Sequence, residues 1–114
     1  MPSTAIKLIN ALNAIKINEY IFYGINVAQI NIRRLTDVLK NVTDHAKIEN
    51  LWIHDLRRTF SSTLSKLGFR YELIDKATNH KIQGTRRHYQ HDDLLEERYK
   101  MLQEWDDYLE GLTK

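Results

Sequence analysis

His54 and Arg57 stand three residues apart, a second histidine follows at His80, and Tyr89 comes nine residues later. These residue types suit chemistry at a phosphate ester. In-line attack on a phosphodiester builds negative charge on the two non-bridging oxygens, so such a site needs fixed cationic donors aimed at them. Arg57 offers a planar fork that stays charged at any working pH and can hold two oxygens at once. On a helix, His54 shares the face of Arg57 because residues three apart are surface neighbours. His54 suits the part of proton acceptor, and His80 that of donor to a phosphate oxygen. The phenol of Tyr89, with an ordinary pKa of about 10, serves as a nucleophile only when a base or nearby positive charge activates it.

Each of these residues also has an ordinary reading. A lone Tyr is commonly an amphipathic core or surface residue, and a single His-x-x-Arg commonly lies on a solvated helix face. Arg58 is read as a support for the fold or a salt-bridge partner and stands outside the set. His80, His88 and His91 invite a metal site, but the chain has no Cys and no His-Glu-x-x-His spacing. No metal and no cofactor are therefore expected. Lys81, Arg86 and Arg87, with His88, form a basic run beside Tyr89 that suits contact with a nucleic-acid backbone. Helix, glycine turn and helix over residues 55–78 also mimic a helix-turn-helix DNA reader.

The elements that must hold these residues are mainly helical. Pro2, Ser3 and Thr4 open a helix, with Ser3 or Thr4 able to cap it, and Ala5, Leu8, Ile9, Leu12 and Ile15 form its stripe. Residues 20–24 read as a short extended segment ending in a turn at Gly24. A second helix is expected over residues 29–42 with Ile32, Leu35, Leu39 and Val42 inward, and a loop over 43–52. A third starts near His54 or Asp55, buries Leu56, Phe60, Leu64 and Leu67, and ends at Gly68, where a left-handed residue is often needed. A short fourth covers 71–78 with Leu73, Ile74 and Ala77 inward. Residues 81–87 read as a loop leading to a turn of helix that carries Tyr89. The last helix spans 92–110, with acids at a start that suits its dipole. Its seam reads as Leu95, Tyr99, Leu102, Trp105 and Leu109.

The 114 residues allow one domain or a piece of one. The absence of Cys excludes disulfides and thiolate metal sites. No signal-peptide pattern and no membrane-length apolar run is present, so a soluble cytoplasmic protein without a membrane partner is expected. The net charge of +2 hides an asymmetry: residues 1–53 carry +2, residues 54–91 carry +5, and residues 92–114 carry −5. A basic centre can attract phosphates, and an acidic tail can repel them or dock on a basic protein surface.

From about Ile53 to Tyr108 the chain resembles the C-terminal end of tyrosine recombinases, the phage integrases. The stretches Ile53-His54-Asp55-Leu56-Arg57-Arg58-Thr59-Phe60 and Asn79-His80-Lys81, with Gly84 and Tyr89, carry the resemblance. Leu94-Leu95-Glu96-Glu97-Arg98 and Trp105-Asp106-Asp107-Tyr108-Leu109 make it most similar to the P4-type prophage integrases. Weaker similarity reaches back to Pro2.

The resemblance implies the C-terminal portion of the DNA breaking-rejoining catalytic fold, with little or no strand. Residues 1–114 would then be a partial catalytic domain, its motifs in 53–91 and its C-terminal helix at 92–110. It implies site-specific recombination through a 3′-phosphotyrosine. His54 would be the histidine of the second motif box, Arg57 the second catalytic Arg, His80 the residue at the His/Trp position, and Tyr89 the nucleophile. The expected partners are double-stranded DNA at an attachment site and other integrase protomers, with no small-molecule substrate. The first Arg of the family sits in a Thr-Gly-x-Arg-like box, which these residues lack; Arg33 and Arg34 lie in another context, and Lys7 does not match the catalytic Lys. Inactivity of the chain alone is therefore expected. The alternatives are a non-catalytic DNA-binding or regulatory helical module, and a helical protein-interaction fragment.

Overall fold

The computed structural model describes residues 1–17, 19–22, 30–79 and 93–114. The chain is mainly α: α1 is Ser3–Ile15, α2 Ile32–Ala46, α3 Ile53–Lys66, α4 Tyr71–Ala77 and α5 Asp93–Leu112, and no strand occurs among the described residues. Residues 21 and 22 form a bend, Tyr20 has no regular structure, and the rest of the segment expected to be extended lies outside the described residues. No helix among the described residues is long and apolar enough to cross a membrane. The chain divides into two compact units, Met1–Ala5 with Thr59–Lys114, and Ile6–Arg58.

The core of the first unit is Leu64 of α3, Leu73 and Ile74 of α4, and Leu94 and Met101 of α5. Leu94 and Met101 are seven residues apart, two helical turns, so they share one stripe. Trp105, one further turn on, packs against this cluster and meets the edge of Phe60 at 5.2 Å between ring centroids. The expected seam of α5 is therefore corrected. Leu95, Tyr99 and Leu109 are exposed, while Leu102 and Trp105 are half-buried. Apolar residues occupy two adjacent stripes of α5, so periodicity alone leaves its rotation open. The Phe60–Trp105 contact and the polar anchor at Asp106 fix it.

In α3 the inward line is Phe60 and Leu64, whereas Leu56 and Leu67 are exposed, against expectation. Leu67 lies past the last residue of α3, where the chain reverses. Gly68 adopts φ 89, and its N–H donates to the Ser65 carbonyl while that of Phe69 donates to the Leu64 carbonyl. This is a Schellman closure, with Phe69 and Leu64 supplying its apolar contact. The positive φ is why glycine stands there; a Cβ would meet no atom within 4 Å.

The start of α1 is held from a distance. Asp106 Oδ2 accepts the Thr4 N–H at 2.9 Å and the Ser3 hydroxyl at 3.0 Å. Ser3 and Thr4 were expected to cap α1 themselves; instead their hydroxyls donate, Ser3 to Asp106 and Thr4 to Glu110 at 3.0 Å. The first turn of α1 has no acid of its own, and the buried carboxylate of α5 supplies that charge to the helix dipole. The bond from the Thr4 amide, aided by Ser3, Thr4 and Gln103, holds the Asp106 carboxyl below its usual pKa although burial opposes this. A lowered folded-state pKa makes the contribution of this tie fully present above the ordinary Asp range, and it is lost as pH falls through the lowered value.

In the second unit, α2 starts and ends later than expected. Asn31 is its cap, its side-chain oxygen accepting the Arg34 N–H at 2.9 Å. At the other end Thr43, expected to begin a loop, is helical and buried, its hydroxyl donating to the Lys40 carbonyl. Lys47 takes the left-handed position at φ 55, and the Ile48 N–H closes on the Thr43 carbonyl at 2.9 Å. A Lys there gives no sequence signal of a helix end. The stripes of α1 and α2 are only partly covered: Leu8, Ile15, Ile32, Leu35 and Val42 are exposed, while Ile9, Leu12 and Leu39 are half-buried.

Candidate functional site

The first turns of α3 carry His54 and Arg57, both exposed. Three positions apart, they lie on one helical face, as the spacing implies. The turn begins unusually, because the residue before α3 is Trp52, whose indole has no oxygen to cap free N–H groups. Asp55 compensates. Its carboxylate accepts the Trp52 N–H at 2.9 Å, and its own N–H donates to the Trp52 carbonyl at 2.9 Å. This is the reaching-back half of a capping box. An acid in the first turn also suits the helix dipole. Arg58 pairs with Asp55 at 3.6 Å, the supporting role expected of it.

His54 also lines a cleft of about 640 Å³ in the second unit. Leu39 and Thr43 of α2 line it together with Ile48 and Trp52 of the connecting segment. A salt bridge between Lys40 and Asp44, at 2.8 Å, borders the same cleft. The segment earns its tight path from two left-handed residues, Lys47 and Asn50.

The other sequence-derived site residues, His80, Tyr89, Lys81, Arg86 and Arg87, lie outside the described residues, as do the loop of 81–87 and the turn expected at Tyr89. What is described is the approach to His80. Short helix α4 ends with the Thr78 N–H on the Ile74 carbonyl, and Asn79 then takes the left-handed conformation at φ 54. Asn tolerates that region better than most side chains, so it turns the chain off the helix immediately before position 80. The start of α4 is tied to α5 by Arg70 donating to Glu97 at 2.6 Å. Among the described residues, no His, Asp and Glu side chains gather into a metal-binding group.

Reading by motif passed over Asp55 and Trp52. The signal was present, as an acid three residues after a non-capping residue, but it is common to many helix starts.

No curated protein and no solved structure shows a match to the chain. The sequence pattern of the phage integrase family, in contrast, matches residues 3–96, a span that includes both the His54–Arg57 turn and the segment through His80 and Tyr89. That span is most of the 114 residues, and its helices are those of a mainly α part of such a domain. The chain therefore belongs to the phage integrase family, whose general business is DNA integration and recombination.

Proposed function

We propose that these residues form the C-terminal part of a tyrosine recombinase catalytic domain of the P4-type prophage kind. In this reading the Tyr89 oxygen attacks a backbone phosphorus of an attachment-site duplex. A Tyr–phosphate bond forms, the bond to the 5′ oxygen breaks as that oxygen takes a proton from the family's catalytic Lys in the upstream part of the domain, and the DNA 3′ end is left on the enzyme. His54 takes the phenol proton, and Arg57 and His80 hold the non-bridging oxygens while charge builds there. Attack by another strand's 5′ hydroxyl reverses these steps and rejoins DNA. Lys81, Arg86 and Arg87 meet the backbone by charge, fixing register without reading sequence. The observation that carries this reading is the family match across both motifs.

The chain alone is proposed to be inactive, because neither the first Arg nor the catalytic Lys of the family occurs in it. Each lost charge-stabilising donor typically costs on the order of a hundred- to thousand-fold in rate. A nicked suicide duplex, which traps the covalent intermediate, tests this. Alone, the chain should give no adduct. Joined to the N-terminal portion of a related integrase it should give one, and Tyr89→Phe should remove it. An adduct that survives Tyr89→Phe assigns the nucleophile elsewhere. A joined protein that binds duplex DNA and never forms the adduct supports the non-catalytic DNA-binding reading instead.

Self-association belongs to the same proposal. The uncovered Leu95, Tyr99 and Leu109 face of α5 offers a neighbouring protomer an apolar surface. Sedimentation should show mass rising with concentration, and a monomer throughout would remove this part of the reading.

A further inference from the structure

We infer that Asp55 is a positioning residue for strand transfer, setting the direction in which His54 meets the phosphate. The inference rests on the proposed role of His54 and Arg57 and deepens it.

His54 sits inside a small closed ring. The Trp52 N–H bonds to the Asp55 carboxylate, and the Asp55 N–H bonds back to the Trp52 carbonyl, both at 2.9 Å. The backbone of residues 52–55 is thus clamped at both ends with His54 between them. Without the carboxylate the Trp52 N–H loses its acceptor, and the first turn of α3 is free to fray, because Trp52 has no side-chain oxygen to hold the turn's free N–H groups. Arg57 lies a turn deeper in the helix and is less exposed to such fraying. Farther along, Leu64 is fully buried and anchors the rest of α3. The loss is therefore local, falling on His54 before Arg57 and leaving the core intact.

Preorganised groups work only when held close to the productive geometry, and a displacement of about 1 Å can cost on the order of a hundred-fold in rate. The carboxylate also pairs with Arg58 at 3.6 Å. That pair is three-quarters exposed on the Arg58 side, so the clamp, not the charge pair, is the working part.

The test uses the full chain with isotope labels and a short DNA duplex as probe, followed by NMR. In the unsubstituted chain, the ring signals of His54 and the side-chain signals of Arg57 should shift along one binding curve. In Asp55→Ala the Arg57 shift should remain, the His54 shift should fall by at least half, and the Trp52 amide should exchange with solvent at least tenfold faster. Asp55→Asn keeps an oxygen acceptor for Trp52 and should restore the His54 shift. Arg58→Ala removes only the ion pair and should leave it unchanged. An undiminished His54 shift in Asp55→Ala overturns the inference. So does a general loss of helix in that variant, since the role would then be global. If neither His54 nor Arg57 moves in the unsubstituted chain while duplex binds elsewhere, the reading of both as phosphate contacts falls, and the positioning role with it.

Discussion

Arg57→Ala should lower covalent adduct formation by about a hundred- to a thousand-fold in the protein joined to an upstream integrase half, the usual range for removing one donor to a developing oxyanion. The effect belongs to the chemical step, because the fork of Arg57 meets charge that grows only as the phosphorus is attacked. Duplex binding should weaken far less, with the salt dependence falling by about one phosphate contact. Arg57→Lys separates charge from shape: a lysine keeps the charge but loses the two-pronged grip, so most of the loss should persist. Quantified adduct yield over time on the suicide duplex reads both variants, and duplex binding titrated at several salt concentrations reads the binding expectation. A tenfold loss or less in Arg57→Ala would place the phosphate clamp elsewhere.

Leu64→Ala should destabilise the unit built on α3, α4 and α5 by about 2–5 kcal/mol, the range for emptying a buried leucine site. Leu64 is wholly buried, and its neighbours come from three separate helices, so no single side chain can settle into the gap. It also lends its carbonyl to the Phe69 N–H in the closure at Gly68, so the site has little freedom to relax. For a unit of this size the melting midpoint should drop by roughly 10 °C or more. Leu95→Ala is the comparison: the residue is 59% exposed, and surface changes usually stay within about 0.5 kcal/mol. Thermal melts followed by circular dichroism measure both. Equal shifts for the two variants would mean that α5 packs by the 95/99/102 stripe after all.

The elements were legible where local chemistry marks them. Apolar periodicity located α1, α3, α4 and α5 to within a residue or two, and Gly68 announced the end of α3. The bounds of α2 were not, because Lys47 adopts a backbone conformation its residue type does not advertise, and Thr43 is buried by geometry, not by hydrophobicity. The inward face of α5 was misread because leucines at 94 and 95, and the Met101–Leu102 pair, fit either rotation. Only contacts with Phe60 and Ser3, distant in sequence, choose between them. At the site, the spacing of His54 and Arg57 was enough to put them on one face. The clamp that steadies His54 joins Trp52 and Asp55, a pairing visible only once the first residue of α3 is known.

The carboxylate that starts α1 comes from a residue 102 positions later. During synthesis from the N-terminus, the Thr4 amide therefore has no such partner until α5 has been made. The first turn of α1 is fixed late, since closing so long a loop must wait for the helix that ends it. A proteolytic cut before Asp106 would accordingly be felt at Ser3 and Thr4, and damage to α5 around Asp106 would register as fraying at the start of α1.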